Sequence, residues 1–343
     1  MFTCSLVALR SLRSLAIASA VICILTPTLL AAQKSGFKSF IAGNAADAPP
    51  SPNLTPGLVL MGGGTDVDAA FQWMCQRAGG GDFLVIRTSG TDAYNPYIQA
   101  LCPQMDSVET IIIGNVNGAN APYVSNQILN AEALWIAGGD QSTYVALWRG
   151  TAVQTGVNFL LNTKLAPVGG TSAGLAVLSE FIYTGARGSV TSSQALADPF
   201  HRYVTLDRDL FQSALGGDKL YDSHFVTRDR MGRSLAFLAR IVNNGWATQP
   251  RGIGIDEETA LLVTPNGSAT MVGTGAAYFL QAPGPAQTLV AGTPLTYLNI
   301  GVYKLLQGGT FNFSTWTGAG GVAYTLNVNN GSLTSTQAGG SIY

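Results

Sequence analysis

Residues 164–178 read Lys-Leu-Ala-Pro-Val-Gly-Gly-Thr-Ser-Ala-Gly-Leu-Ala-Val-Leu. The pattern predicts a short buried strand, a glycine-rich turn and the start of a helix. Ser172 stands at the turn, inside Gly170-Thr171-Ser172-Ala173-Gly174, which fits the G-x-S-x-G spacing of a nucleophile elbow. A serine on a tight strand-to-helix turn holds its hydroxyl above a sheet, and the strained backbone there needs small neighbours two residues to either side. The helix that follows aims its N-terminus at the site, where it favours developing negative charge. In a chain with 41 glycines the pentapeptide alone also reads as a glycine-rich turn with a capping serine. Context separates the two readings.

Upstream, apolar runs alternate with helical stretches. Leu58-Val59-Leu60-Met61, Phe83-Leu84-Val85-Ile86, Thr110-Ile111-Ile112-Ile113 and Leu134-Trp135-Ile136-Ala137 read as buried strands, and a fifth enters the elbow at Ser172. Helices are expected from Asp66, as cap, to Arg77, from Pro96 to Leu101, and as one long helix over 142–161. Glycine-rich turns follow the strands at Gly62-Gly63-Gly64, Thr88-Ser89-Gly90 and Gly138-Gly139-Asp140-Gln141. This is the pattern of an α/β fold with a doubly wound, mostly parallel, flavodoxin-like sheet, whose site lies at the carboxyl ends of the strands. Gly62-Gly63-Gly64-Thr65 lacks the lysine of a phosphate loop and is read as a tight turn.

The ends of the chain differ from this middle. Arg10 and Arg13, an apolar stretch from Leu15 to Leu30, and Leu30-Ala31-Ala32-Gln33 read as a cleavable signal peptide over 1–32, leaving a secreted or periplasmic protein without a stable membrane span. Residues 33–57 read as a polar N-terminal extension, 58–289 as the catalytic α/β domain, and 290–343 as a β-rich C-terminal extension. Removal of the leader leaves 16 basic against 19 acidic residues, a net charge of −3, which gives no electrostatic case for nucleic acid. Cys75 and Cys102 then remain, to be paired in an oxidising compartment or buried as free thiols. No Cys/His spacing resembles a metal site.

A serine nucleophile needs a base, and the chain has two histidines. His201, beside Pro199, reads as loop packing. His224, after the strand-like Lys219-Leu220-Tyr221, is the better base. Asp256, Glu257 and Glu258, at another strand turn, are all candidates to orient it, and sequence chemistry does not choose among them. Arg228, Arg230 and Arg233 read either as a solvated helix start or as a clamp for substrate carboxylates.

Taken in order, Gly138-Gly139-Asp140-Gln141, Gly170-Thr171-Ser172-Ala173-Gly174, Asp222-Ser223-His224-Phe225 with Arg228, Arg230 and Arg233, and Gly254-Ile255-Asp256-Glu257 resemble the cyanophycinases, over about residues 58–280. These belong to the serine peptidase family that also holds the aspartyl dipeptidases. The resemblance implies a class I glutamine amidotransferase-like fold and a Ser-His-Glu triad of Ser172, His224 and Glu257. It also implies a substrate site lined by Gln141, Asp222, Ser223, Arg228, Arg230 and Arg233. Family members cleave β-linked aspartyl-arginine dipeptides from cyanophycin or release N-terminal aspartate from dipeptides, need no metal or organic cofactor, and are commonly homodimers. Ser223 stands where cyanophycinases usually carry glutamine, which puts a substrate contact in doubt. With the elbow geometry, the N–H groups of Ala173 and Gly139 are the expected oxyanion donors. Two competing readings are an α/β-hydrolase esterase, with Asp207 or Asp209 as the acid but without its HGGG-type motif, and a non-catalytic relative that binds acidic peptides.

Overall fold

The computed structural model describes residues 36–49 and 51–343. The leader expected over 1–32 lies outside the described residues. The first half of the fold runs β1 (Phe37–Gly43), β2 (Gly57–Met61), α1 (Asp68–Ala78), β3 (Asp82–Arg87), α2 (Tyr94–Leu101), β4 (Ser107–Ile113), α3 (Val116–Ala119), α4 (Pro122–Asn130), β5 (Ala133–Ile136), α5 (Gln141–Trp148), α6 (Ala152–Phe159), β6 (Pro167–Thr171) and α7 (Ala173–Val177). The second half runs β7 (Phe181–Tyr183), α8 (Ser192–Ala197), β8 (Leu206–Arg208), β9 (Lys219–Asp222), α9 (Met231–Asn243), β10 (Arg251–Ile255), β11 (Thr259–Val263), β12 (Ser268–Gly273), β13 (Ala277–Gln281), β14 (Tyr297–Asn312), β15 (Thr317–Asn329) and β16 (Ser332–Ser335).

The five apolar runs form the parallel centre of the sheet, in the order β4-β3-β5-β6-β2. Their continuous hydrophobicity has a physical cause: both faces are covered. Leu58, Leu60, Leu84, Ile86, Leu134, Ile136 and Val168 pack into one core layer, while Val59, Met61, Phe83, Val85, Ala133 and Trp135 alternate into the other. Beyond β2 the sheet continues through antiparallel β11, β12 and β14 to β13 and β10, then through the parallel β9 and β7. The result is a mixed sheet with a parallel heart. Residues 290–343 are β-rich: β14 pairs with β12, β13 and β15 and so ties the C-terminal hairpin into the sheet.

Several local expectations give way to the three-dimensional context. Part of the polar stretch before residue 57 is the edge strand β1, antiparallel to β4, with the Ser39 hydroxyl donating to Glu109. Asp66 does not cap α1; its N-cap is Val67, with no side-chain bond, and Gly79 ends it in the left-handed conformation at φ 68°. The long helix expected over 142–161 is two helices, because Gly150 turns left-handed at φ 70° and Thr151 bonds back to the Trp148 carbonyl. Cys75 of α1 and Cys102, just after α2, are joined by a disulfide.

Candidate active site

The site is built where β2, β5 and β6 end. Ser172 follows β6 directly, at φ 54° and ψ −113°, a backbone region that a side chain occupies only under constraint. The constraint is visible. Its N–H donates to the Met61 carbonyl of β2 at 3.2 Å. A Cβ on Gly174 would stand 2.0 Å from the Ile136 carbonyl oxygen, so α7 can approach β5 this closely only as glycine. The elbow spacing is a steric requirement here.

His224 comes from the turn after β9, at φ 45°, with its N–H held by the Gly62 carbonyl at 2.8 Å. Its Nε2 lies 2.7 Å from the Ser172 Oγ, and its Nδ1 lies 2.5 Å from the Glu257 Oε1. A carboxylate only accepts, so Nδ1 carries the proton and Nε2 is left to accept one from the serine hydroxyl. The three acids left open by the sequence have separate places. Glu257 faces His224. Asp256 knits the loop together, accepting from the Glu257 N–H at 2.9 Å and from the Thr227 hydroxyl at 3.2 Å. Glu258 turns away to the Thr65 hydroxyl at 3.2 Å.

One contribution escaped the sequence reading. The Gly62-Gly63-Gly64 turn is more than the end of β2. A Cβ on Gly63 would stand 2.4 Å from the His224 Cε1, and one on Gly64 would stand 2.9 Å from the Glu257 Cβ. The turn is a bare saddle on which the imidazole and the carboxylate lie. Its carbonyls hold the chain at both: Gly62 binds His224 N–H, and Gly63 binds Glu258 N–H at 2.8 Å. The only sequence signal is glycine repeated at a strand end, which by itself reads as a turn.

The proposed oxyanion donors flank the serine. Gly138, beside Gly139, has its missing Cβ position 3.5 Å from the Ser172 Cβ, and the Tyr144 hydroxyl pins this loop through the Ala137 and Gly138 carbonyls at 2.9 and 3.0 Å. Among the described residues the N–H groups of Gly139 and Ala173 have no protein acceptor. Gln141 opens α5 and reaches the Tyr183 carbonyl at 3.4 Å.

The arginines differ from the expected clamp. Arg233 is 2% exposed and gives Asp222 two hydrogen bonds, from Nε at 2.8 Å and Nη2 at 2.5 Å. Arg230 reaches the same carboxylate at 3.2 Å and the Ser223 carbonyl and hydroxyl at 2.8 and 3.1 Å. Asp222, Ser223 and these two arginines thus form a largely buried polar cluster next to His224 in the chain, turned to one another. Arg228 is exposed, and among the described residues its guanidinium has no hydrogen bond or ion pair. The remaining candidates lie elsewhere. His201 accepts from the Tyr203 N–H at 3.3 Å, Asp207 pairs with Arg149 at 2.9 Å, and Asp209 pairs with Arg208 at 3.3 Å.

The electrostatics suit a base. Burial first, then the Arg228 and Arg230 charges, hold His224 below its ordinary value of 6.5, against the opposing pull of Glu257. The hydrogen bond to His224 holds Glu257 below the usual carboxylate range. Burial works against ionised Asp222, yet Arg233 and Arg230 outweigh it and keep the carboxyl below its ordinary range. Burial pushes Arg230 down to about 10. Among the described residues no group of three His, Cys, Asp or Glu could hold a metal ion.

With this geometry in view, similarities to known proteins carry weight. No family model matches the chain. The cyanophycinase of Synechococcus elongatus is 24% identical over 253 residues, which is 70% of this chain and 73% of the relative. That of Geminocystis herdmanii (strain PCC 6308) is 25% identical over 206 residues, 58% of this chain and 69% of the relative. A solved peptidase from an acI-B1 Actinobacterium superposes with a TM-score of 0.51 at 16% identity, covering 76% of this chain and 98% of its own. The chain is a distant relative of the cyanophycinases, built on a fold it shares with a solved peptidase.

Proposed function

We propose that this protein is a serine peptidase that hydrolyses β-aspartyl peptides, including the aspartyl-arginine polymer, through an acyl-enzyme on Ser172. The observation that carries the reading is the continuous relay from Ser172 Oγ through both nitrogens of His224 to Glu257. His224 Nε2 takes the hydroxyl proton as Ser172 Oγ bonds to the scissile carbonyl carbon. The negative charge that develops on the carbonyl oxygen falls to the N–H groups of Ala173 and Gly139. His224 then returns the proton to the departing amine, and the C–N bond breaks. A water, deprotonated by the same imidazole, hydrolyses the ester and frees Ser172. Glu257 keeps the imidazole in the working tautomer throughout.

Arg228, exposed on the turn after His224, is the cation offered to a substrate carboxylate. Ser223 is buried and engaged by Arg230, so its position gives the substrate no contact. This favours short β-aspartyl peptides over a polymer that needs every contact. The leader over 1–32 makes the protein an exported scavenger of such material, and N-terminal sequencing of secreted protein should begin after residue 32.

The test is incubation of purified protein with cyanophycin and a panel of β-aspartyl dipeptides, beside Ser172→Ala. Wild type should release products, and the variant should lose several orders of magnitude in kcat while its thermal unfolding stays that of wild type. A Ser172→Ala protein that retained activity would refute the proposal.

A further inference from the structure

We propose that Tyr343 is a positioning residue for His224, so that the β-rich C-terminal segment serves the chemistry of a loop nearly 120 residues before it. The proposal rests on the reading of Ser172 and His224 as a working pair. The Tyr343 side chain arrives beneath the turn that follows His224, with the Ile342 carbonyl anchored to β15 by the Tyr324 hydroxyl at 2.9 Å. Its own hydroxyl donates to the Asp229 Oδ1 at 2.8 Å and accepts from the Met231 N–H, the first of α9, at 2.9 Å. Its ring stands edge-on to Phe225 at 6.0 Å and to Tyr278 at 5.7 Å.

These contacts join others on the same segment: Asp256 accepts from the Val226 N–H, the Thr227 N–H and the Thr227 hydroxyl, and the Ser192 hydroxyl donates to the Asp229 carbonyl. Residues 224–230 form one tight helical turn: Arg228 N–H bonds the His224 carbonyl at 3.1 Å, Asp229 N–H that of Val226 at 2.9 Å, and Arg230 N–H that of Phe225 at 2.9 Å. Asp229 closes it at φ 46°, a left-handed conformation that an aspartate holds when its surroundings impose it. The entry to the turn is fixed by β2 and β10, through His224 N–H to Gly62 and Phe225 N–H to Ile255 at 3.2 Å. The Phe225 ring lies directly over Gly254, where a Cβ would stand 2.4 Å from it. Tyr343 adds to the enclosure: its ring meets Phe225 edge-on and its hydroxyl pins Asp229. The next residue, Arg230, carries the constraint back to the Ser223 carbonyl, one residue before His224. Loss of the hydroxyl frees the Asp229 carboxylate and the Met231 N–H together, and slack there passes through both ends of the turn to an imidazole that must stay within hydrogen-bond reach of Ser172.

The test uses Tyr343→Phe, which keeps the ring, and a fluorophosphonate probe that reports the nucleophile independently of the natural substrate. Two quantities are read: the labelled fraction at completion and the first-order rate at saturating probe. A purely structural role lowers the fraction of competent protein, whereas a positioning role lowers the rate per competent site. The expected result is complete labelling with unchanged half-saturation and a rate about tenfold lower. Asp229→Ala should act alike, and the double variant should be no slower than the slower single one, because both remove the same link. The Asp229 variant alone decides the matter if Tyr343→Phe fails to fold. A rate equal to wild type, or a lowered end point at the wild-type rate, overturns the proposal. Wild-type protein that never labels at Ser172 overturns the peptidase reading and this one with it.

Discussion

Replacing Glu257 with glutamine tests the relay at the member that residue chemistry alone left open and the family resemblance assigned. The side chain keeps its length, so the bond of 2.5 Å to His224 Nδ1 can be re-formed geometrically but without charge. Charge-assisted hydrogen bonds contribute about 1.5–3 kcal/mol. At 1.36 kcal/mol per factor of ten, their loss lowers the rate by about 10- to 150-fold. The amide can also present its NH2 group to Nδ1, which fixes the wrong tautomer. In a fully buried triad that error costs about 10⁴ in kcat. Here the carboxylate side chain is 29% exposed, so water shares its role and the penalty is smaller. The expected fall is therefore about 10²-fold. The assay is the pseudo-first-order rate of Ser172 labelling by a fluorophosphonate, repeated as kcat/KM on a β-aspartyl dipeptide once one is found. Asp207→Asn and Asp209→Asn, whose carboxylates pair with surface arginines, are the controls and should stay within about twofold of wild type. If Glu257→Gln kept its rate while an aspartate variant lost a hundredfold, the acid would precede the histidine in the chain, and the reasoning would fail.

The remaining predictions concern pH, charge and the cross-link. Activity should rise with pH along a single acid limb centred below 6.5, because protonated His224 cannot accept the serine proton and burial depresses its value; a limb above 6.5 in a kcat/KM profile would contradict this. The same depression means that the unfolded chain binds the proton more tightly, so this group's contribution to stability is intact above 6.5 and is lost as pH falls from there through the lower folded value, as urea midpoints at pH 5 and 7.5 would show. Arg233→Met should destabilise by about 1.5–3 kcal/mol, since it removes the two closest bonds to the buried Asp222 carboxylate and leaves it to Arg230 and the Ser234 hydroxyl, whereas Arg228→Ala should leave the urea midpoint in place and raise KM for acidic peptides. Reduction of the Cys75–Cys102 bridge, which spans 27 residues, should lower stability by about 3.5 kcal/mol in the chain-entropy model, as read from unfolding with and without reductant.

The parallel heart of the fold was legible because strands buried on both faces must be apolar at every position, as in Leu58–Met61. The elbow was legible because close packing of α7 on β5 admits only glycine at 174. Other features are set by partners distant in sequence. The strand β1 alternates exposed and half-buried residues at a sheet edge, and its pairing to β4 is invisible in its own composition. Arg233 carries a charge that reads as surface, yet Asp222, eleven residues earlier, draws it inside. The choice among Asp256, Glu257 and Glu258 depends on how one turn twists, with Glu258 left-handed at φ 54°, and three adjacent carboxylates carry no sign of that twist.

The glycine saddle also has a temporal meaning. Gly62 to Gly64 lie at the end of β2, which is made early on the ribosome, but the groups they seat come much later; Thr65 bonds Glu258 across 193 residues of chain. β2 takes β6 on one side and β11 on the other, and the second pairing cannot form until nearly the whole α/β region exists. Closing so long a loop is slow and entropically costly compared with the local strand-helix units around it. On the proposed mechanism, a nascent or partly folded chain therefore holds an elbow serine without its base, and hydrolytic competence arrives only with the final closure of the sheet. A protease assembled in that order is inert towards its neighbours while it is being made.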